Sequence, residues 1–241
     1  PAPLLLAGAV RPAIARMIDE GYDFDLIDAH YFYPDGVAAA MLGKYFNKPV
    51  VITARGSDIT QIPAYRLPRR MITWAARRAA GVITVCHALR DEVVRLGVDP
   101  DKVVSLRNGV DLQLFSPLPA GERAASRARL ALQRFTLLAV GHLVPVKAHQ
   151  LIIAALPLLP DVELLLAGNG PNRPMLETLA QAHGVADRVR FLGALAQTEL
   201  RTYYGAADAL VLPSEREGWA NVLLESMACG TPVVASRVWG T

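Results

Sequence analysis

Cysteine is scarce. Cys86 and Cys229 are the only two among 241 residues, and each sits in an apolar setting. No disulfide framework can be built from them, and buried reduced thiols are expected. Also lacking is any apolar run near the roughly 20 residues that cross a bilayer. The opening PAPLLLAGAVRPAIARM does not have the charged, apolar and small-residue order of a signal peptide, so a cytoplasmic protein is the expectation. Charge of one sign is in short supply: 25 Lys and Arg stand against 22 Asp and Glu, a formal net charge of +3. That is too little to argue for nucleic acid without a concentrated patch. No HExxH, Cys/His zinc spacing, Walker loop or GxSxG elbow occurs. The five histidines, His30, His87, His142, His149 and His183, are scattered, and no metal centre is expected, although His30 and His142 end strand-like runs and can face a cleft.

What is present is core-forming material: 52% of the residues are hydrophobic and 20% charged, enough to bury a substantial interior. Apolar, β-branched runs of strand length recur as DLIDAH, PVVITA, GVITVC, KVVSL, FTLLAVG, VELLLAG, RVRFLG, ALVLPS and TPVVAS. Between most of them lie stretches of helical period such as RLPRRMITWAARRA and PMLETLAQAHG. Strand alternating with helix predicts an α/β chain with parallel sheets covered on both faces. The rhythm breaks between about residues 112 and 134, where Pro117, Pro119 and Gly121 stand in a segment with no strand. Two Rossmann-like domains are therefore expected, over residues 1–112 and 135–241, joined by a linker at 113–134. The chain begins without Met and stops at VWGT just after a strand-like run, so a fragment is expected, its first domain lacking its start and its second its end. Residues 65–80, YRLPRRMITWAARRAA, concentrate Arg66, Arg69, Arg70, Arg77 and Arg78. Such a helix is a solvated face, a surface for an anionic membrane, or a contact for a phosphorylated acceptor.

Ligands of open parallel sheets collect beyond the carboxyl ends of the strands. Three loops of the second half are equipped there for an anion. VGHLVPVK ends a strand at Gly141 and is expected to open a helix near Lys147, where lysine and free N–H groups suit a phosphate. LLLAGNGP places Gly168, Asn169 and Gly170 after a strand; it fails the dinucleotide fingerprint because Arg173 stands at the sixth position. Its glycines either let a flat or anionic group approach the backbone or form an ordinary turn. EREGWANVLLESMACG, residues 215–230, puts Glu217 before and Glu225 inside an expected helix that stops at Gly230. The N–H groups of Gly218, Trp219, Ala220 and Asn221 are available to a phosphate. Were most of the interval helical, the two carboxylates would stand roughly 12 Å apart, a spacing that suits a ligand with hydroxyls at both ends and a diphosphate between. Two acids on a solvated face are the plainer alternative. Asp23-Phe24-Asp25 and Asp99-Pro100-Asp101 are Asp-x-Asp strings, but their settings suggest surface acids.

Taken in order, these motifs resemble the retaining GT-B glycosyltransferases of family four, the group 1 glycosyltransferases. Glu217 through Glu225 resembles the family's E-x7-E element, and ESMACGTPVVAS follows it. VGHLVPVK is similar to the phosphate-binding VGRLVPEK, VRFLGAL to the strand end that meets the base, RNGVD to the start of the interdomain linker, and TARGSD to the acceptor-side THGSD. The resemblance implies that Glu217, Lys147 and His142 stand at the reacting centre, with Glu217 on the donor sugar and Lys147 on the phosphates. It implies donor contacts from Gly141, Gly168, Asn169, Gly170, the backbone between Arg190 and Leu195, Gly218, Trp219, Ala220, Asn221 and, at the ribose, Glu225. His30, Arg55, Gly56 and Asp58 fall on the acceptor side. The implied reaction moves a hexosyl group from a nucleoside-diphosphate sugar to a glycan or lipid-linked acceptor with retained configuration. It uses no metal, because Lys147 and the helix ends stabilise the departing diphosphate, and no cofactor, since the nucleotide sugar is itself a substrate.

Two positions depart from the pattern. His142 replaces the family's phosphate-binding Arg, offering less fixed charge and no bidentate fork, and Arg55 replaces its acceptor-domain His. A non-catalytic nucleotide-sugar-binding subunit and a GT-B nucleotide-sugar epimerase are the alternative functions. The work is expected in the cytoplasm, at the inner face of the membrane if residues 65–80 meet lipid.

Overall fold

The computed structural model describes residues 2–241. The chain divides into two compact units, the first ending at Asn108 and the second running from Gly109 to Trp239.

In the first unit, helix α1 (Ala2–Asp19) leads into β1 (Ile27–His30), α2 (Val37–Phe46), β2 (Val50–Ala54), a single turn α3 (Ser57–Thr60), α4 (Arg66–Arg78), β3 (Gly81–Thr84), α5 (His87–Arg95) and β4 (Val103–Ser105). The four strands are parallel and lie in chain order, with Ile27 opposite Val50, Val51 opposite Gly81 and Val82 opposite Val103. Helices on both faces of the sheet explain why the successive residues Ile52, Thr53 and Ala54, which point to alternate faces, are all buried. α4 turns Ile72, Ala75 and Ala76 inward, the three- and four-residue spacing of one helix face. Its arginines therefore point outward.

The second unit contains α6 (Glu122–Arg129), β5 (Phe135–Val140), α7 (Gln150–Ala155), β6 (Val162–Ala167), α8 (Arg173–Ala182), β7 (Val189–Gly193), α9 (Gln197–Ala206), β8 (Ala209–Leu212), α10 (Asn221–Ala228) and β9 (Val233–Ala235). Its five parallel strands follow the order β7-β6-β5-β8-β9, so the winding reverses between β5 and β8. One face packs Leu138, Val140, Leu165 and Leu210 against Leu200, Tyr204 and Leu223. The other packs Ala139, Leu164 and Leu166 against Ile152, Ile153 and Leu176. Each fully buried leucine contributes on the order of 2 kcal/mol.

The segment that composition marks as a linker folds onto this second unit. The Phe115 ring meets that of Tyr204 edge to face, with centroids 5.9 Å apart. Arg123 and Arg127 of α6 reach Asp208 at 2.6 and 3.0 Å, and the Thr136 N–H donates to the same carboxylate at 2.8 Å. Burial works against that charge, yet these donors hold the Asp208 carboxyl below its ordinary value.

Candidate functional site

The reversal between β5 and β8 is where a doubly wound sheet opens a crevice at its carboxyl edge. The ladder joining these strands has two pairs, Leu137 with Ala209 and Leu138 with Leu210; the one joining β5 to β6 has six. Past Leu138, β5 leaves this ladder but stays paired with β6 through Val140, and the loops that follow β5, β6 and β8 carry most of the candidate residues. The loop after β5 meets the loop after β8 again through Glu215 N–H, which donates to the Val146 carbonyl at 2.9 Å.

Across this junction the Lys147 ammonium donates to Glu217 at 2.6 Å, with side chains 22% and 9% exposed. Two residues separated by 70 positions thus form one charged pair at the crevice. Lys147 does not begin an α-helix, as the sequence suggests. It ends a single 3₁₀ turn, Pro145–Lys147, after which Ala148 takes a left-handed conformation and α7 starts only at Gln150. Pro145 and the left-handed residue break the helix early, so it is the turn that aims the lysine. His149 lies just behind, 2% exposed. Burial first, and then the Lys147 charge, push its pKa down to about 4, so the ring is neutral. His142 is exposed on the same loop.

The glycines after β6 serve the loops themselves. A Cβ on Gly168 would stand 1.9 Å from the Gly141 carbonyl oxygen, and one on Gly170 would stand 2.3 Å from that of Leu143. Gly168 and Gly141 also take φ of 148° and 153°, values that favour glycine. Bare backbone lets the two loops bond directly: Gly141 N–H to Ala167, Leu143 N–H to Asn169 and Asn172 N–H to Leu143, each at 2.9 Å. What the sequence leaves open between ligand approach and ordinary turn is thus, first, close packing of two loops. Asn169 is exposed beside them.

After β8, Glu217, Gly218 and Trp219 are partly buried and Ala220 is buried. These residues precede the helix: α10 begins at Asn221. The straight-rise spacing of Glu217 and Glu225 therefore does not apply, since only the latter part of the interval is helical. Glu225 lies about one turn inside α10, as expected, and accepts from the Tyr204 hydroxyl at 2.7 Å. Tyr204 is fully buried. Burial, and then the Glu225 carboxylate, push its pKa upward, so the phenol remains a donor. Thr231 Oγ1 donates to the Tyr204 carbonyl at 2.6 Å, fixing the tyrosine from behind. Sequence reasoning missed Tyr204 because a tyrosine on a buried helix face reads as core. The helix stops at Gly230, φ 79°, with Gly230 N–H on Met227 and Thr231 N–H on Ser226, the paired bonds of a Schellman stop.

Arg190 and Leu195 are placed apart. Arg190 is the second residue of β7, toward its amino end, and its side chain donates to the Leu130 carbonyl at 2.8 Å. Leu195 follows the carboxyl end of β7 and packs on the core.

In the first unit, His30 ends β1 and Arg55 follows β2. The Arg55 guanidinium meets His30 Nδ1 at 2.5 Å; as arginine only donates, Nδ1 accepts, and Nε2 then donates to Asp28 at 3.2 Å. Asp58 is fully buried and accepts from Phe32 N–H at 2.8 Å, Gly56 N–H at 2.7 Å and Arg55 N–H at 3.1 Å. Burial raises its pKa and these bonds oppose the rise. The carboxylate thus clamps two loops together, leaving Arg55 and His30 as the outward-facing pair.

Asp23 pairs with Lys48 at 2.6 Å, and Asp99 accepts from Asp101 N–H at 3.0 Å. Both Asp-x-Asp strings have local partners. Among the described residues no group of three or more His, Cys, Asp or Glu is arranged for a metal ion, and no helix is long and apolar enough to cross a membrane.

Two family models match: "Glycosyl transferases group 1" over residues 122–241 and "Glycosyltransferase Family 4" over residues 1–114. The chain belongs to the group 1, family 4 glycosyltransferases. This glycosyltransferase chain is 32% identical over 253 residues to a D-inositol 3-phosphate glycosyltransferase of Mycolicibacterium gilvum, covering 97% of its own length and 55% of the relative's. The protein of that description in Mycobacterium sp. strain KMS is 41% identical over the same span, again covering 55% of the relative. The chain thus spans about half the length of the curated relatives it matches. The crystal structure of Anabaena Alr3699/HepE in complex with UDP superposes with a TM-score of 0.84 at 25% identity, covering 95% of this glycosyltransferase chain and 64% of that one. The same protein in complex with UDP-glucose gives 0.81 at 26% with the same coverage. Sucrose-phosphate synthase from Thermosynechococcus elongatus gives 0.80 at 28%, covering 95% and 59%. The two parallel-sheet units therefore have the GT-B fold.

Proposed function

We propose that the protein is a retaining hexosyltransferase that moves sugar from a nucleoside diphosphate to an acceptor hydroxyl, in polysaccharide or lipid-linked glycan synthesis in the cytoplasm, at the inner face of the membrane if residues 65–80 meet lipid. The observation that carries this reading is the Lys147–Glu217 pair at the strand-order reversal, 2.6 Å across two loops. A diphosphate entering there takes over the lysine ammonium, and the released Glu217 becomes an acceptor for sugar hydroxyls. As the bond between the anomeric carbon and the diphosphate breaks, its electron pair leaves on the phosphate, where Lys147 and the N–H groups ahead of α10 stabilise the growing charge. In this reading that fixed charge makes a metal unnecessary. Glu225, held through Oε2 by Tyr204, offers its other oxygen to the ribose. His142 stands beside the phosphates, and Arg55 with His30 faces the acceptor.

The relative crystallised with UDP and with UDP-glucose makes UDP-glucose the first donor to test. Calorimetry on the full-length protein is expected to show donor affinity about tenfold or more lower in Lys147→Ala and in Glu225→Ala, the loss of a charge-assisted contact. Unchanged affinity in both variants removes the site assignment. Tight donor binding with neither transfer nor slow hydrolysis, across a broad acceptor set, assigns a binding subunit instead.

A further inference from the structure

The densest run of arginines in the first unit lies on α4, which carries none of the candidate site residues. α4 spans 13 residues, roughly 20 Å of helix. Arg66, Arg69, Arg70, Thr73, Trp74, Arg77 and Arg78 line a groove of about 730 Å³ along one of its sides. Their spacing of three and four residues keeps them on one face. Among the described residues, none of the five arginines forms an ion pair with a carboxylate, and α4 contains no acidic residue.

Helix stability does not account for this arrangement. Arg77 and Arg78 sit in the last turn, where the helix dipole favours cations, and Arg78 also stacks 4.9 Å above the Trp74 ring. Arg66, Arg69 and Arg70 crowd the opposite end, where the dipole and their mutual repulsion both disfavour them. A second basic groove adjoins the first through Arg78 and carries Lys44 and Lys48. Tyr65, just before α4, and Leu67 in its first turn are 70% and 56% exposed at the same end of the helix as Arg66, Arg69 and Arg70.

We infer that this face of α4 docks the protein on an anionic lipid bilayer. The guanidinia are spread along the helix and do not converge on one point, so they suit several headgroups side by side better than a single phosphate. Tyr65 and Leu67 add apolar contact at the headgroup level that a nucleic-acid backbone does not use. The apolar side of the helix, Ile72, Ala75 and Ala76, is committed to the core, so α4 cannot roll over and bury itself in the acyl region. Attachment is therefore electrostatic, shallow and salt-sensitive. The inference agrees with a membrane-side acceptor but rests on charge placement alone, and it stands or falls separately from the donor site.

The test is co-sedimentation of the full-length protein with vesicles of phosphatidylcholine alone or containing phosphatidylglycerol. Binding is expected to the anionic vesicles, to weaken sharply from 0.05 to 0.5 M salt as screening shortens to a few ångströms (about 10 Å at 0.1 M), and to be indifferent to millimolar inorganic phosphate. The triple variant Arg66→Gln, Arg69→Gln, Arg70→Gln is expected to bind about a hundredfold more weakly, at about fivefold per arginine. Its melting temperature should not fall, because disfavoured charges are removed, and its UDP affinity should be unchanged. Several results overturn the proposal: equal binding to neutral vesicles, no binding to anionic vesicles at low salt, or a triple variant that binds like the parent. Capture of free phosphate without vesicle binding assigns a soluble phosphorylated ligand instead, and preference for RNA over vesicles assigns nucleic acid.

Discussion

Removing one hydroxyl from the interior should alter how the protein reads a ribose. Tyr204→Phe deletes the donor that holds Glu225 Oε2 at 2.7 Å while keeping the ring contact with Phe115 at 5.9 Å. A hydrogen bond to a charged group contributes about 1.5–3 kcal/mol. Glu225 is only partly buried, so water recovers some of this, and the expected stability loss is about 1 kcal/mol. The larger effect is on order. A freed glutamate must be fixed again when donor binds, at about 0.5–1.5 kcal/mol per side chain, which is roughly fivefold in affinity. That cost falls only on ligands that use the carboxylate. Calorimetry with UDP and 2′-deoxy-UDP on the full-length protein should show the ribonucleotide weakened about fivefold and the deoxynucleotide much less, shrinking the ratio between them. A Tyr204 that serves only packing would weaken both alike, and an unchanged ratio alongside a lost ratio in Glu225→Gln refutes the positioning role. If the parent protein does not discriminate the two nucleotides, the ribose assignment of Glu225 itself fails.

Gly168→Ala places a Cβ 1.9 Å from the Gly141 oxygen at a φ of 148°. It should cost about 3 kcal/mol, visible as a lower melting temperature, whereas Gly8→Ala in α1, with nothing within 4 Å, should be neutral or slightly stabilising. Equal melting temperatures for the two variants contradict the loop-packing account. His149 has a folded-state pKa of about 4 against an ordinary 6.5, so the unfolded chain takes up the proton first. Its penalty is absent above pH 6.5 and grows as the pH falls toward 4, reaching about 3 kcal/mol. Urea denaturation between pH 7.5 and 4.5 should be less pH-dependent in His149→Leu than in the parent; parallel curves rule out a neutral buried ring.

The strands were legible because buried parallel strands are continuous apolar runs, and each of the nine runs, from DLIDAH to TPVVAS, carries one of β1 to β9. The stop of α10 was legible because Gly230 follows a helical pattern. Less could be read where distant segments meet. Nothing local in VPVK or EREG states that Lys147 and Glu217 touch; the order β7-β6-β5-β8-β9 brings them together. The role of Gly168 depends on a carbonyl 27 positions earlier, and that of Tyr204 on a carboxylate 21 positions later. Lys147 was misplaced at a helix start because the apolar period continues through it, while Pro145 and the left-handed Ala148 delay the helix.

The short ladder between β5 and β8 gives the crevice the shape of a wedge. Its apex is fixed at Leu138 and Leu210, the last residues to pair, and its far side is tied by the Glu215–Val146 bond. A wedge held at both ends cannot widen by swinging one strand away from the other. Room for a bulkier or slimmer guest must come from the loop residues between the two ties, 141–145 and 213–214, because Val140 and Leu212 at the strand ends are buried in the core. Under the proposed donor role, the choice among donors would be made in those loops, where residues can change while the strands and the fold remain as they are.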